Sequence, residues 1–166
     1  MKKDKLKNNP VNHPSHYTSH PSGIEAIEIC GNMGFCLGNA FKYQFRMENK
    51  WNPLEDLKKA RWYIDRQYFQ TFNCLIVVPK QEGLSYKDDW AADFKAFPVT
   101  FKGNDRENVI KVVGDAPGNV EKALLYTWIA DKALYQGELG DALLKARYYI
   151  DHELKKRNKK TKKKVA

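Results

Sequence analysis

Residues 56–65 read Asp-Leu-Lys-Lys-Ala-Arg-Trp-Tyr-Ile-Asp, and residues 142–151 read Ala-Leu-Leu-Lys-Ala-Arg-Tyr-Tyr-Ile-Asp. Seven of the ten positions are identical without a gap. In both stretches apolar residues recur at the three- and four-residue spacing of an amphipathic helix. The helices that precede them align as well, at an offset three residues shorter: Ala40, Tyr43 and Phe45 meet Ala123, Tyr126 and Trp128. The loop between the helices absorbs the difference. Single amphipathic helices resemble one another by chance, but a shared order of helix, loop and helix predicts a duplicated hairpin.

In the first copy the spacing predicts one helix from about Phe35 to Asn49. A second begins at Asn52-Pro53, with Asn52 as N-cap and Pro53 in the first turn, and ends near Thr71. The second copy predicts helices over about 120–135 and 138–156, joined at Gln136-Gly137. Upstream, Pro14 and Pro21 bar a helix interior from 11–21. Ser22 with Glu25 then forms a capping box opening a helix whose apolar stripe is Ile24, Ile27 and Cys30. The middle, 72–118, reads differently. Cys74–Val78 is a short β-branched run, Ser85 opens a short helix that Pro98 stops, Val99–Lys102 and Val109–Val113 are candidate paired strands, and 115–119 is a turn cluster. The expected fold is therefore mainly α: duplicated helical hairpins forming a bundle, with a small mixed α/β insertion. The expected divisions are a disordered basic arm (1–10), one globular domain (11–154, made of units 11–71, 72–118 and 119–154) and a disordered basic tail (155–166).

A chain of 166 residues with nine Tyr, eight Phe and four Trp can bury a core without disulfides. The net charge of +9 suggests a nucleic-acid binder until it is located. Residues 1–10 carry +3 and residues 155–166 carry +8, which leaves −2 for the body between them. The excess lies in the two arms, so the tail is either a solubilising segment or a weak, salt-sensitive contact for polyanions. Cys30, Cys36 and Cys74 form no C-x-x-C pair and have no ligand-spaced histidine, so no metal site is expected. The polar N-terminus and the lack of a long apolar run lead us to expect a soluble, intracellular protein without membrane contact.

The two copies differ on one face. With Asn39 at zero and about 100° per residue, Lys42, Arg46 and Lys50 fall within about 80° of arc, flanked by Tyr43. Leu37, Phe41 and Phe45 lie opposite. The second copy has Lys122, Leu125, Ile129 and Ala133 at the equivalent positions, an apolar face suited to packing against protein. Cations at four-residue steps repel unless an anion lies between them, and arginine grips phosphate bidentately while lysine adds a point charge. The facing helix contributes Asp56, Lys59 and Tyr63. Asp56, absent from the second copy, is either a structural ion-pair partner or a group that orients Lys59 or Arg46 or acts as a base. His13-Pro-Ser-His-Tyr17 is either a proline-rich arm with incidental histidines or a rim in which His16 meets phosphate oxygens and Tyr17 stacks on a base.

Four strings, Pro14-Ser-His-Tyr17, Ile24-Glu-Ala-Ile-Glu28, the Gly38-Asn39, Lys42-Tyr43 and Arg46 set, and Glu55-Asp-Leu with Lys59-Ala60 and Tyr63, together resemble the small nucleotide kinase of T-odd coliphages and its phage relatives. The resemblance spans about residues 11–70. It implies phosphoryl transfer from a nucleoside triphosphate to a deoxynucleoside monophosphate, a homo-oligomer, nucleotide partners, and a location in the cytoplasm of an infected bacterial host. No G-x-x-x-x-G-K-[ST] loop exists in the chain, so it is no P-loop kinase. The candidate catalytic residues are Lys42, Arg46 and Asp56. The candidate nucleotide contacts are His13, Ser15, His16, Tyr17, Asn39, Lys42, Tyr43, Arg46, Lys50, Lys59 and Tyr63. No dedicated cofactor is expected, though Mg²⁺ would accompany a bound nucleotide. The competing readings are a non-catalytic module that sequesters nucleotides and an all-α nucleoside-triphosphate pyrophosphohydrolase. The latter needs a carboxylate cluster that Glu25, Glu28, Glu55 and Asp56 do not convincingly make.

Overall fold

The computed structural model describes residues 14–76, 105–114 and 118–165. Seven α-helices occupy them: α1 (Ser15–Thr18), α2 (Ala26–Cys30), α3 (Phe35–Arg46), α4 (Pro53–Phe72), α5 (Asp105–Val113), α6 (Asn119–Lys132) and α7 (Gln136–Val165). α1 is a single helical turn inside 11–21, the stretch expected to be free of helix: it starts just after Pro14 and ends before Pro21, so neither proline interrupts it. A 3-10 turn, Met47–Asn49, follows α3.

No β-strand occurs among the described residues, so the expected fold of a bundle with a mixed α/β insertion is corrected to a mainly α helical bundle, helical wherever regular structure is described. Val109–Val113, read as a strand from its β-branched residues, is the second half of α5. Val109, Val112 and Val113 are buried there at helical spacing, against α6 and α2. Burial of one stripe outweighs a β propensity whose whole range is about 1 kcal/mol. Of Cys74–Val78, the described part, 74–76, is irregular, and Asn73 ends α4 in the left-handed region at φ 53. The helix from Ser85, the strand Val99–Lys102 and the centre of the 115–119 turn lie outside the described residues.

Helices α3, α4, α7 and α6 form a ring in which each packs on the next. Asn52 caps α4 as its sequence predicts, its side-chain oxygen accepting from the Glu55 amide at 3.2 Å. The core is aliphatic and aromatic, with Phe41, Met47, Leu57, Ile64, Leu124, Trp128, Leu143 and Ile150 almost wholly enclosed. α6 is buried on every side from Ala123 to Ala130, the pattern of a central helix. α2 starts at Ala26, one turn later than Ser22 suggests. Its capping box is Glu25 with Glu28, and Ser22 instead meets His20 Nδ1 at 2.8 Å. This phase buries Ile29 and leaves Ile27 exposed.

The hairpins meet through counterpart residues. Gln44 Nε2 donates to Thr127 Oγ1 at 2.9 Å, and the two occupy equivalent positions of the repeat. Across α4 and α7, Arg147 Nε donates to Asp65 Oδ1 at 2.6 Å, while Arg61 Nη1 lies 3.5 Å from Asp151 Oδ1. Arg61 and Arg147 are counterparts, as are Asp65 and Asp151, so the clasp is reciprocal and α4 and α7 run antiparallel. Gly140 completes the register further along: a Cβ there would approach Phe72 Cζ to 3.2 Å. α7 continues to Val165, so the segment given to the tail from residue 155 has a helical backbone.

Candidate functional site

The last turn of α3 places Arg46 at the meeting point of α1, α3 and α4. Its Nε and Nη2 donate to Asp56 Oδ2 and Oδ1 at 2.9 and 3.0 Å, a bidentate pair. Its Nη1 donates to Tyr17 OH at 2.6 Å. Arg46 and Asp56 are only 7 % and 4 % exposed. Arg46 therefore does not lie on a solvated cationic face. Its helical angle points between helices, where the start of α4 and the Tyr17 ring cover it. Burial opposes its charge, but hydrogen bonds and charge from Asp56 and Tyr17 outweigh that and hold it above its ordinary pKa.

Tyr43 is the floor of the cluster. The Arg46 guanidinium lies 4.6 Å from its ring centroid, Lys42 Nζ 5.0 Å and Lys59 Nζ 5.7 Å. The negative face of an aromatic ring attracts cations at such distances. Tyr63 stacks on Tyr43 at 5.8 Å and 18°, which fixes the ring from α4. Lys42 Nζ donates to Asn39 Oδ1 at 2.6 Å, and Asn39 Nδ2 donates to the Phe35 carbonyl at 2.8 Å. Lys42 thus has a neutral partner and keeps its charge available, although burial, and then Arg46 nearby, lower its pKa. Lys59 pairs with Glu55 at 2.5 Å on the exposed side.

Two hollows flank this cluster. One, of about 210 Å³, is lined by Arg46, Lys50, Trp51, Asn52, Glu55, Asp56 and Lys59. The other, of about 300 Å³ and mostly apolar, is lined by Pro14, Tyr17, Glu25, Ala26, Ile27, Cys30 and Lys42. The Tyr17–Arg46 bond stands between them. Lys50 follows the 3-10 turn in an extended conformation, so it reaches the first hollow from a loop and not from the α3 face. His16 packs on Tyr17, ring centroids 4.2 Å apart. Burial, then the charges of Lys50 and Arg46, push its pKa below 6.5, so a neutral imidazole borders the site at neutral pH.

The structure therefore gathers His16, Tyr17, Asn39, Lys42, Tyr43, Arg46, Lys50, Asp56, Lys59 and Tyr63 into one region. Ser15 is exposed at the start of α1 and joins none of these contacts, and His13 lies outside the described residues. Sequence reading missed Trp51, Asn52 and Glu55 as lining, and the apolar hollow altogether. Its one available signal was a tryptophan between Lys50 and a helix cap, a polar stretch with no core to supply. No group of three His, Cys, Asp or Glu among the described residues is placed to hold a metal ion, and no described helix is long and apolar enough to cross a membrane.

Residues 11–65 match the model of a protein family of unknown function, DUF3310. The match takes in the whole Arg46 constellation and stops short of the second hairpin. No curated protein and no solved structure matches the chain.

Proposed function

We propose that the chain is a nucleotide kinase without a P-loop, moving a phosphoryl group from a nucleoside triphosphate to a deoxynucleoside monophosphate. The observation that carries this reading is the cationic hollow itself: Lys50 and Lys59 beside a guanidinium that Asp56 and Tyr17 hold rigid, with Lys42 at the edge of an adjoining apolar hollow fit for a base. Phosphoryl transfer asks mainly for positioning and neutralisation of charge on the phosphate oxygens. A monophosphate acceptor is already ionised at neutral pH, so no general base has to be found for it. Asp56 then acts by orienting Arg46, since both its oxygens are engaged. Lys42, whose partner is the neutral Asn39, and Lys50 are the charges that meet the phosphates, and Mg²⁺ would arrive with the triphosphate. The resemblance of residues 11–70 to phage nucleotide kinases supports the same reaction.

A second reading, a module that holds a nucleotide without turnover, is favoured by one observation: each carboxylate lining the cationic hollow is already paired with a cation. Incubation with each deoxynucleoside monophosphate and a panel of triphosphates separates the two. The kinase yields diphosphates, and Lys50→Ala and Lys42→Ala reduce them while leaving the thermal melt unchanged. Tight binding without diphosphate overturns the kinase and selects the holding module. Release of pyrophosphate selects a pyrophosphohydrolase.

A further inference from the structure

The exposed side of α4 does not contribute to the core. Lys58, Trp62, Arg66 and Phe69 follow one another at three- or four-residue steps within about 80° of arc and cover about 16 Å of helix. Trp62 is 58 % exposed, and Trp51, just before α4, is 98 % exposed. Single exposed apolar residues are ordinary, but a tryptophan and a phenylalanine interleaved with cations along one helical line, with a second exposed tryptophan just before that helix, are not.

The neighbouring carboxylates are occupied. Glu55 is held by Lys59, Asp65 by Arg147, and Glu48 by Arg157. Lys58 and Arg66 have no carboxylate partner among the described residues. The Glu48–Arg157 pair also brings α7 to the turn that precedes α4, and around that contact α7 carries exposed Lys155, Lys156, Lys159 and Lys160. Rings and cations thus alternate as a strip along α4 from Lys58 to Phe69, with exposed Trp51 just before the helix and the lysines of α7 near its start.

We propose that this strip binds single-stranded nucleic acid, with unpaired bases stacked on Trp62 and Trp51 and the backbone phosphates on Lys58, Arg66 and the lysines of α7. Every base offers a ring face, so such stacking is tolerant of sequence, and the phosphates supply the charge complement. A duplex hides its base faces. A helix that lies on a membrane segregates cations and aromatics to opposite faces, whereas here they share one stripe and the opposite face is buried in the bundle.

The full-length protein, with a labelled oligothymidylate, tests this by anisotropy and tryptophan fluorescence. Binding should quench tryptophan and weaken with salt, at a slope of about −0.7 per phosphate contact. Trp62→Ala should weaken binding about tenfold, and Lys58→Glu/Arg66→Glu should also flatten the salt slope. Both variants change exposed side chains, and unchanged thermal melts verify that they fold. Wild-type affinity in both variants would overturn the proposal and reduce the contact to the lysines of α7. Equal affinity for a duplex of the same length, quenching only by anionic vesicles, or self-association that covers the strip would overturn it as well. Lys58, Trp62 and Arg66 line neither mononucleotide hollow, but Trp62 packs on Tyr63 at 4.9 Å, so the Lys58→Glu/Arg66→Glu variant is the one whose result is independent of the kinase assay.

Discussion

The two hairpins keep the same internal clamp and differ in what surrounds it. Tyr43 stacks on Tyr63 at 5.8 Å with Lys59 above the ring. In the second copy Tyr126 stacks on Tyr149 at 5.9 Å with Lys145 5.2 Å from the Tyr126 centroid. Around the first clamp stand Lys42, Arg46 and Asp56. At the equivalent positions of the second stand Leu125, Ile129 and Ala142, all buried. The tyrosine stack is thus the scaffold of a hairpin, and the charged trio is an addition that only one hairpin carries. Within the trio the Arg46–Asp56 pair has to be complete, because a guanidinium and a carboxylate buried together tolerate each other and not the loss of one partner.

The largest expected effect follows from that point. Asp56→Ala leaves Arg46 buried without its carboxylate and should cost about 3–5 kcal/mol in urea unfolding. Arg46→Ile with Asp56→Ala installs the second hairpin's own pair and should recover most of that loss, while nucleotide binding disappears. A double variant as unstable as the single one would show that the two environments are not interchangeable.

Next comes the reciprocal clasp, whose equal partners sit in unequal surroundings. The Arg147 side chain is 5 % exposed and that of Arg61 is 44 % exposed. Arg147→Ala should therefore cost about 3 kcal/mol, against less than about 1 kcal/mol for Arg61→Ala. Equal losses would mean that the clasp is as symmetric in energy as in sequence. A smaller effect is expected at the other counterpart contact. Thr127→Val removes the acceptor of the buried Gln44 amide, which retains the Ala40 carbonyl, and should cost about 1 kcal/mol.

The smallest effect concerns pH and is confined to the first hairpin's side. His16 and His20 are both held below 6.5, each chiefly by burial. For His20 the ring stacks on Phe45 at 4.7 Å, and Glu121 pulls its pKa the other way. The unfolded chain therefore binds more protons than the native one as pH falls below 6.5. Their contribution to stability is complete above 6.5 and is lost as pH drops through the native values. Histidine resonances followed by NMR should show both native titrations below 6.5, and a nucleotide's phosphates should move that of His16 upward.

Much of this architecture was legible in the chain. The repeat, the Asn52-Pro53 cap and the long helices follow from apolar spacing and cap chemistry, which are local. What failed was whatever depends on a neighbour. Val109–Val113 has strand composition, and only the presence of α6 and α2 beside it decides for a helix. Arg46 lies on the polar side of a helical wheel, but a wheel does not show that Asp56 and Tyr17 close over it. Lys50 left the wheel entirely when α3 tightened into a 3-10 turn. Charge bookkeeping had the same weakness: a net −2 over the body conceals a side of α4 on which Lys58 and Arg66 have no carboxylate partner among the described residues.

The reciprocal clasp of Arg61, Asp65, Arg147 and Asp151 has a further consequence. In an assembly of identical subunits each substitution is made on both sides at once, so a site and its support change together or not at all. Here the halves share one chain, and a substitution is felt once. Ile129 and Ala142 became possible without sacrificing Arg46 and Asp56, and the chain keeps a single working cluster braced by a half that is free to specialise in holding it.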